Sequence, residues 1–119
     1  MNYIYLMKDE KKNHALFKAG FAKDIATRVY AYTSHNPEVQ CISTIRTMDK
    51  SKRNIEAIFH EEIKARGYEF VTAQIDGKTT EWFKVSYDDP FYAELEEKGL
   101  TAFKCGKRRK NYGVYNLMK

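Results

Sequence analysis

The sequence predicts a small α/β protein, an α+β sandwich in which a mainly antiparallel sheet is flanked by helices. Three observations predict it. Short apolar runs closed by polar or glycine punctuation recur as strand-length segments. Between them, residues 25–32 and 55–63 place apolar side chains three and four apart, the spacing of a helix face. An Asp76-Gly77 pair stands between two further strand-length runs, which is a hairpin signal.

The elements follow in order. Residues 3–7 and 16–20 read as two strands, with the polar break 8–14 as the hairpin loop joining them. Asp24 is a good N-cap for a helix over 25–32. Ser34-His35-Asn36-Pro37 is a turn signal, after which residues 39–46 alternate as a third strand. Asp49 or Ser51 caps a second helix running to about Arg66, and Gly67 stops it. Its apolar stripe is Ile55, Ile58, Phe59 and Ile63, with Glu56 and His60 one turn apart on the flank. Residues 70–75 and 81–85 read as two more strands. A last helix over 91–98 ends at Gly99.

A chain of 119 residues favours one domain, here expected at 1–98 and followed by a basic, aromatic tail at 99–119 that packs in part on the body. Net charge is +5, and residues 99–119 hold six positive groups and no acidic one, so the rest of the chain is close to neutral. Lys107, Arg108, Arg109 and Lys110 beside Tyr112 are candidate nucleic-acid contacts, cations for phosphates and a ring for bases; a merely solvating tail is the alternative. No apolar run approaches the ~20 residues of a membrane helix. Cys41 and Cys105 stand far apart without a Cys-x-x-Cys partner, which argues against a zinc site or a disulfide framework and for a reducing, cytoplasmic setting.

The hairpin, the glycine and the first helix bring a phenol, an amine, a guanidinium and a second phenol toward one surface: Tyr5, Lys18, Arg28 and Tyr32. That set suits a phosphodiester. Tyr3-Ile4-Tyr5, Lys18-Ala19-Gly20, Arg28 with Tyr32, Glu56-x-x-x-His60 and Glu81-Trp82-Phe83 come in the order in which they occur in the GIY-YIG nucleases. Over residues 2 to 85 the chain most resembles the phage-associated subgroup, whose second signature reads Lys-Ile-Gly. It departs from the family pattern at Tyr3, where the name has glycine, at Lys18 and Ala19, and in lacking the asparagine about a dozen residues after the glutamate.

The resemblance implies a metal-dependent DNA endonuclease acting on double-stranded or branched DNA. It implies Glu56 as the ligand of one Mg2+ (or Mn2+), Arg28 as a fork for phosphate oxygens, and Tyr5 as general base. An ordinary tyrosine, with a pKa of ~10, needs cationic neighbours for that task, and Lys18 and Arg28 are the expected ones. Tyr32 would bond the phosphate or the water network, and His60 and Glu81 would support the site from behind. The alternative is a module of the same fold without turnover, binding nucleic acid or inhibiting another enzyme.

Overall fold

The computed structural model describes residues 2–47, 52–73 and 75–103, excluding the side chains of residues 52–56. In chain order the elements are β1 (Asn2–Glu10), β2 (His14–Ala22), α1 (Ile25–Thr33), β3 (Gln40–Thr47), α2 (Lys52–Ala65), β4 (Phe70–Thr72), β5 (Thr79–Ser86), α3 (Pro90–Lys98) and a 3-10 turn (Gly99–Ala102). The strands form one sheet in the order β3-β1-β2-β5-β4, every neighbouring pair antiparallel. The architecture is the predicted α+β one.

The first hairpin is longer than the polarity pattern indicates. Residues 8–14 were expected to form its loop, yet β1 runs on to Glu10 and β2 resumes at His14. Charged groups can stay in a buried strand when they are paired, and these are. Lys8 Nζ lies 2.8 Å from Glu10 and 2.7 Å from Glu96 on α3, while Asp9 Oδ2 receives Lys11 and the Asn36 amide, each at 3.1 Å.

Strand alternation divides the sheet's side chains between two faces. Ile4, Leu6, Ala15, Phe17, Ala19, Phe83 and Val85 point to the face covered by α2, α3 and the 3-10 turn, where Ile58, Phe59, Ile63, Phe91, Leu95, Leu100 and Phe103 complete a dry core. Phe83 stands at its centre, with ring centroids 5.9 Å from Phe17, 6.3 Å from Phe70 and 6.4 Å from Phe103. Tyr5, Met7 and Ala22 point to the opposite face, under α1, with Val39 beside them.

β4 is shorter than the predicted 70–75. The chain turns at Asp76-Gly77, where Gly77 takes φ +68, and Ile75 stands in that turn fully exposed. α3 starts as predicted, with Asp89 accepting from the Phe91 N–H at 2.9 Å. Of the expected tail, Leu100, Ala102 and Phe103 are buried in the core. Lys107, Arg108, Arg109, Lys110 and Tyr112 lie outside the described residues, as do the capping candidates Asp49 and Ser51. Among the described residues no helix is long and apolar enough to cross a membrane.

Candidate functional site

The α1 face gathers four of the predicted site residues. Tyr5 projects from the middle of β1 and is 1% exposed; Gly20 is its partner across the β1–β2 ladder. A Cβ on residue 20 would overlap the Tyr5 ring and its hydroxyl, so the phenol lies directly over a position that only glycine leaves open. Lys18, two residues earlier on β2, is on the same face, with its side chain 13% exposed.

Asp24 opens α1 by accepting from the Thr27 N–H at 3.1 Å. This sets Arg28 and Tyr32, one turn apart, along the side of the helix that meets the sheet. The Lys18 ammonium donates to the Tyr32 hydroxyl. The Tyr32 ring stands 6.4 Å from that of Tyr5 and 5.9 Å, edge-on, from Trp82. Arg28 is half-buried, and among the described residues no carboxylate lies within ion-pair distance of its guanidinium.

Electrostatics separate the two phenols. Burial, a hydrogen bond donated to Tyr32 and the negative charge Tyr32 can carry together raise the pKa of Tyr5; the nearby Arg28 charge only moderates this. Burial acts on Tyr32 in the same direction, but the bonds it receives from Lys18 and Tyr5, with the charges of Lys18 and Arg28, outweigh it and bring its pKa below the usual tyrosine value. The cations expected to favour a Tyr5 phenolate thus act chiefly on Tyr32. Of the two phenols, Tyr32 is the one whose surroundings favour the anion.

Glu81 comes to this cluster through a gap in the sheet. The β2–β5 ladder runs from His14↔Ser86 to Phe17↔Phe83 and stops there, although both strands continue. Beyond that pair Glu81 Oε2 lies 3.4 Å from Lys18 Nζ, so Glu81 pairs with Lys18 rather than Arg28.

The remaining predicted residues are on α2. The side chain of Glu56 lies outside the described residues; its helix rests Ile58, Phe59 and Ile63 on the core face, opposite the phenols. His60 packs edge-on against Phe70 at 4.9 Å, away from the Lys18–Tyr32 pair, and among the described residues its Nε2 has no hydrogen-bond partner.

Sequence reading missed two features of this face. Trp82, named beforehand only within the Glu81-Trp82-Phe83 motif, stands half-buried against Tyr32 as part of the smaller apolar cluster. Asp9, expected in a loop, points from β1 into the same face and bonds Asn36. A signal was available for each: Trp82 alternates with the core residues Phe83 and Val85 only if it faces the other way, and Asp9 keeps the parity of Tyr5 and Met7.

A T5orf172 domain model matches residues 2–97, from the first residue of β1 to the last turn of α3. The chain belongs to the T5orf172 domain family. This phage-associated family is linked to nuclease-like proteins. No curated protein and no solved structure matches the chain.

Proposed function

We propose that this T5orf172 domain is a metal-dependent DNA endonuclease of the GIY-YIG type. The observation that carries the reading is the Lys18–Tyr32 hydrogen bond with the Tyr5 ring 6.4 Å from that of Tyr32, and with Arg28 one turn from Tyr32 and free of any described carboxylate. A phenol whose pKa is lowered by two cations is more often deprotonated than an ordinary tyrosine, and the phenolate can then take a proton from water. Tyr32 is that base. Tyr5, buried over Gly20, donates to it and steadies the phenolate. Arg28 offers its planar fork to two phosphate oxygens and stabilises the charge that builds on them at the transition state. Glu81 holds Lys18 in place.

The metal this reading calls for is a magnesium-type ion, which keeps most of its waters and asks for few protein oxygens, so that one carboxylate can be enough. Glu56, the carboxylate that the family resemblance supplies, would hold it. Bound there, such an ion would polarise the phosphate and stabilise the leaving oxygen.

The decisive experiment is cleavage of supercoiled, branched and single-stranded DNA with Mg2+ or Mn2+ and with EDTA. Glu56→Ala is expected to abolish cleavage while low-salt DNA binding survives. Arg28→Ala should cost about 3 kcal/mol of barrier. Tyr32→Phe should lower the rate by roughly 10²-fold or more and move the rise of rate with pH upward, because Tyr5, the phenol left behind, holds its proton more tightly. DNA binding by the wild type and the three variants without metal-dependent cleavage by the wild type would leave a binding module and end the enzyme reading.

A further inference from the structure

Beside Tyr32 the α1 face opens into a cleft of about 330 Å³, at the lower end of the small-ligand range. Leu16 and Val39 are in its lining, Val71, Thr80 and Trp82 form the wall from β4 and β5, and Tyr32 closes the end nearest Lys18. Asp9 also lines it. That carboxylate is 10% exposed; its Oδ2 is occupied by Lys11 and Asn36, and its Oδ1 has no partner among the described residues.

We infer that this cleft binds the unstacked base of a nucleotide next to the scissile phosphate, and that Asp9 favours bases bearing an exocyclic amine. The inference rests on the reading of the Lys18–Tyr32 cluster as a phosphodiester site. Tyr32 belongs to both, so an occupant of the cleft lies within one nucleotide of the phosphate. An indole and aliphatic side chains suit the faces of a flat heterocycle, which is how extruded bases are held. A carboxylate accepts hydrogen bonds and donates none, so it prefers the N4 amine of cytosine to the carbonyl that thymine carries at the same ring position. A base inside a duplex cannot enter a cleft between a helix and a hairpin. Unpaired, flapped or branched DNA is therefore the preferred substrate.

Trp82 is the chain's single tryptophan, so its fluorescence reports occupancy directly. The full chain, without metal, is titrated with dC4 and dT4 oligonucleotides. Quenching of Trp82 is expected with both, and dC4 should bind roughly fivefold or more tightly. Asp9→Asn should erase that preference while the quenching remains, and Val71→Phe, which fills the cleft with another apolar ring, should remove the quenching while the protein's far-ultraviolet circular dichroism is unchanged. Absence of quenching, or a dC4-to-dT4 ratio of one in the wild type, overturns the inference even if plasmid cleavage is robust. Quenching with the expected preference but no cleavage of any substrate supports the cleft and overturns the nuclease reading alone.

Discussion

The two faces of the sheet are built from the same five strands and do opposite work. On the face under α2 and α3, sixteen of the described residues are buried together, all of them apolar. On the face under α1, four are buried together, one of them the phenol Tyr5, and α1 itself has no fully buried residue. The first face supplies the hydrophobic burial that any domain of this size needs against its chain entropy. The second is freed by that from supplying much stability, so it can hold phenols, an ammonium and a carboxylate in one cluster. The main core and the Lys18–Tyr32 cluster are separated by the thickness of one β-sheet.

The largest test of that separation is Phe83→Ala. Phe83 is wholly buried among Phe17, Tyr68, Phe70 and Phe103, and removing a core phenylalanine costs about 3–5 kcal/mol. Urea unfolding should show that loss, whereas Arg28→Ala, on a half-exposed helix position, should leave the midpoint nearly where it was. Equal losses from the two would mean that the faces share the burden.

A smaller effect is expected where backbone and site meet. Gly20→Ala puts a methyl group into the Tyr5 ring, an overpacking worth about 1–3 kcal/mol. The ring must move, and with it the bond that helps hold Tyr32 acidic. The pH dependence of cleavage should therefore shift upward together with the loss in stability, although residue 20 has no side chain in the wild type. A stability loss with an unchanged pH profile would show that Tyr5 has no part in the ionisation of Tyr32.

Much of this arrangement was legible beforehand because it depends on local pattern. The strands around Ile4 and Phe17, the Asp24 cap with its helix, and the Ile58, Phe59, Ile63 stripe follow from period and punctuation. Pairing across long separations was not legible. Nothing in the run of Lys8, Asp9 and Glu10 tells that Glu96, far along the chain, will neutralise Lys8 and let the strand continue. Nor does spacing tell that the β2–β5 ladder stops at Phe17↔Phe83, which brings Glu81 to Lys18. The same limit applies to the phenols: sequence places Tyr5 and Tyr32 near the same two cations, and spacing does not tell that Tyr5 is buried while Tyr32 receives the Lys18 bond.

The smallest prediction concerns that long-range ion pair. Lys8, 5% exposed at its side chain, meets both Glu10 and Glu96. Burial would raise the Glu96 pKa, yet the bonds from Lys8 and Tyr92 hold it below the usual 4.5. An unfolded chain therefore takes up this proton at a higher pH than the folded one, so the pair's stabilisation is present at neutral pH and disappears as pH falls through the folded-state value. Glu96 is about a third exposed, which limits the contribution to a few tenths of a kcal/mol. Glu96→Gln should accordingly lower urea stability slightly at pH 7, with the difference from wild type narrower at pH 3. A difference of the same size at both pH values would assign the effect to packing against Tyr92 rather than to charge, and the extension of β1 through Lys8 would then need a source other than the pair.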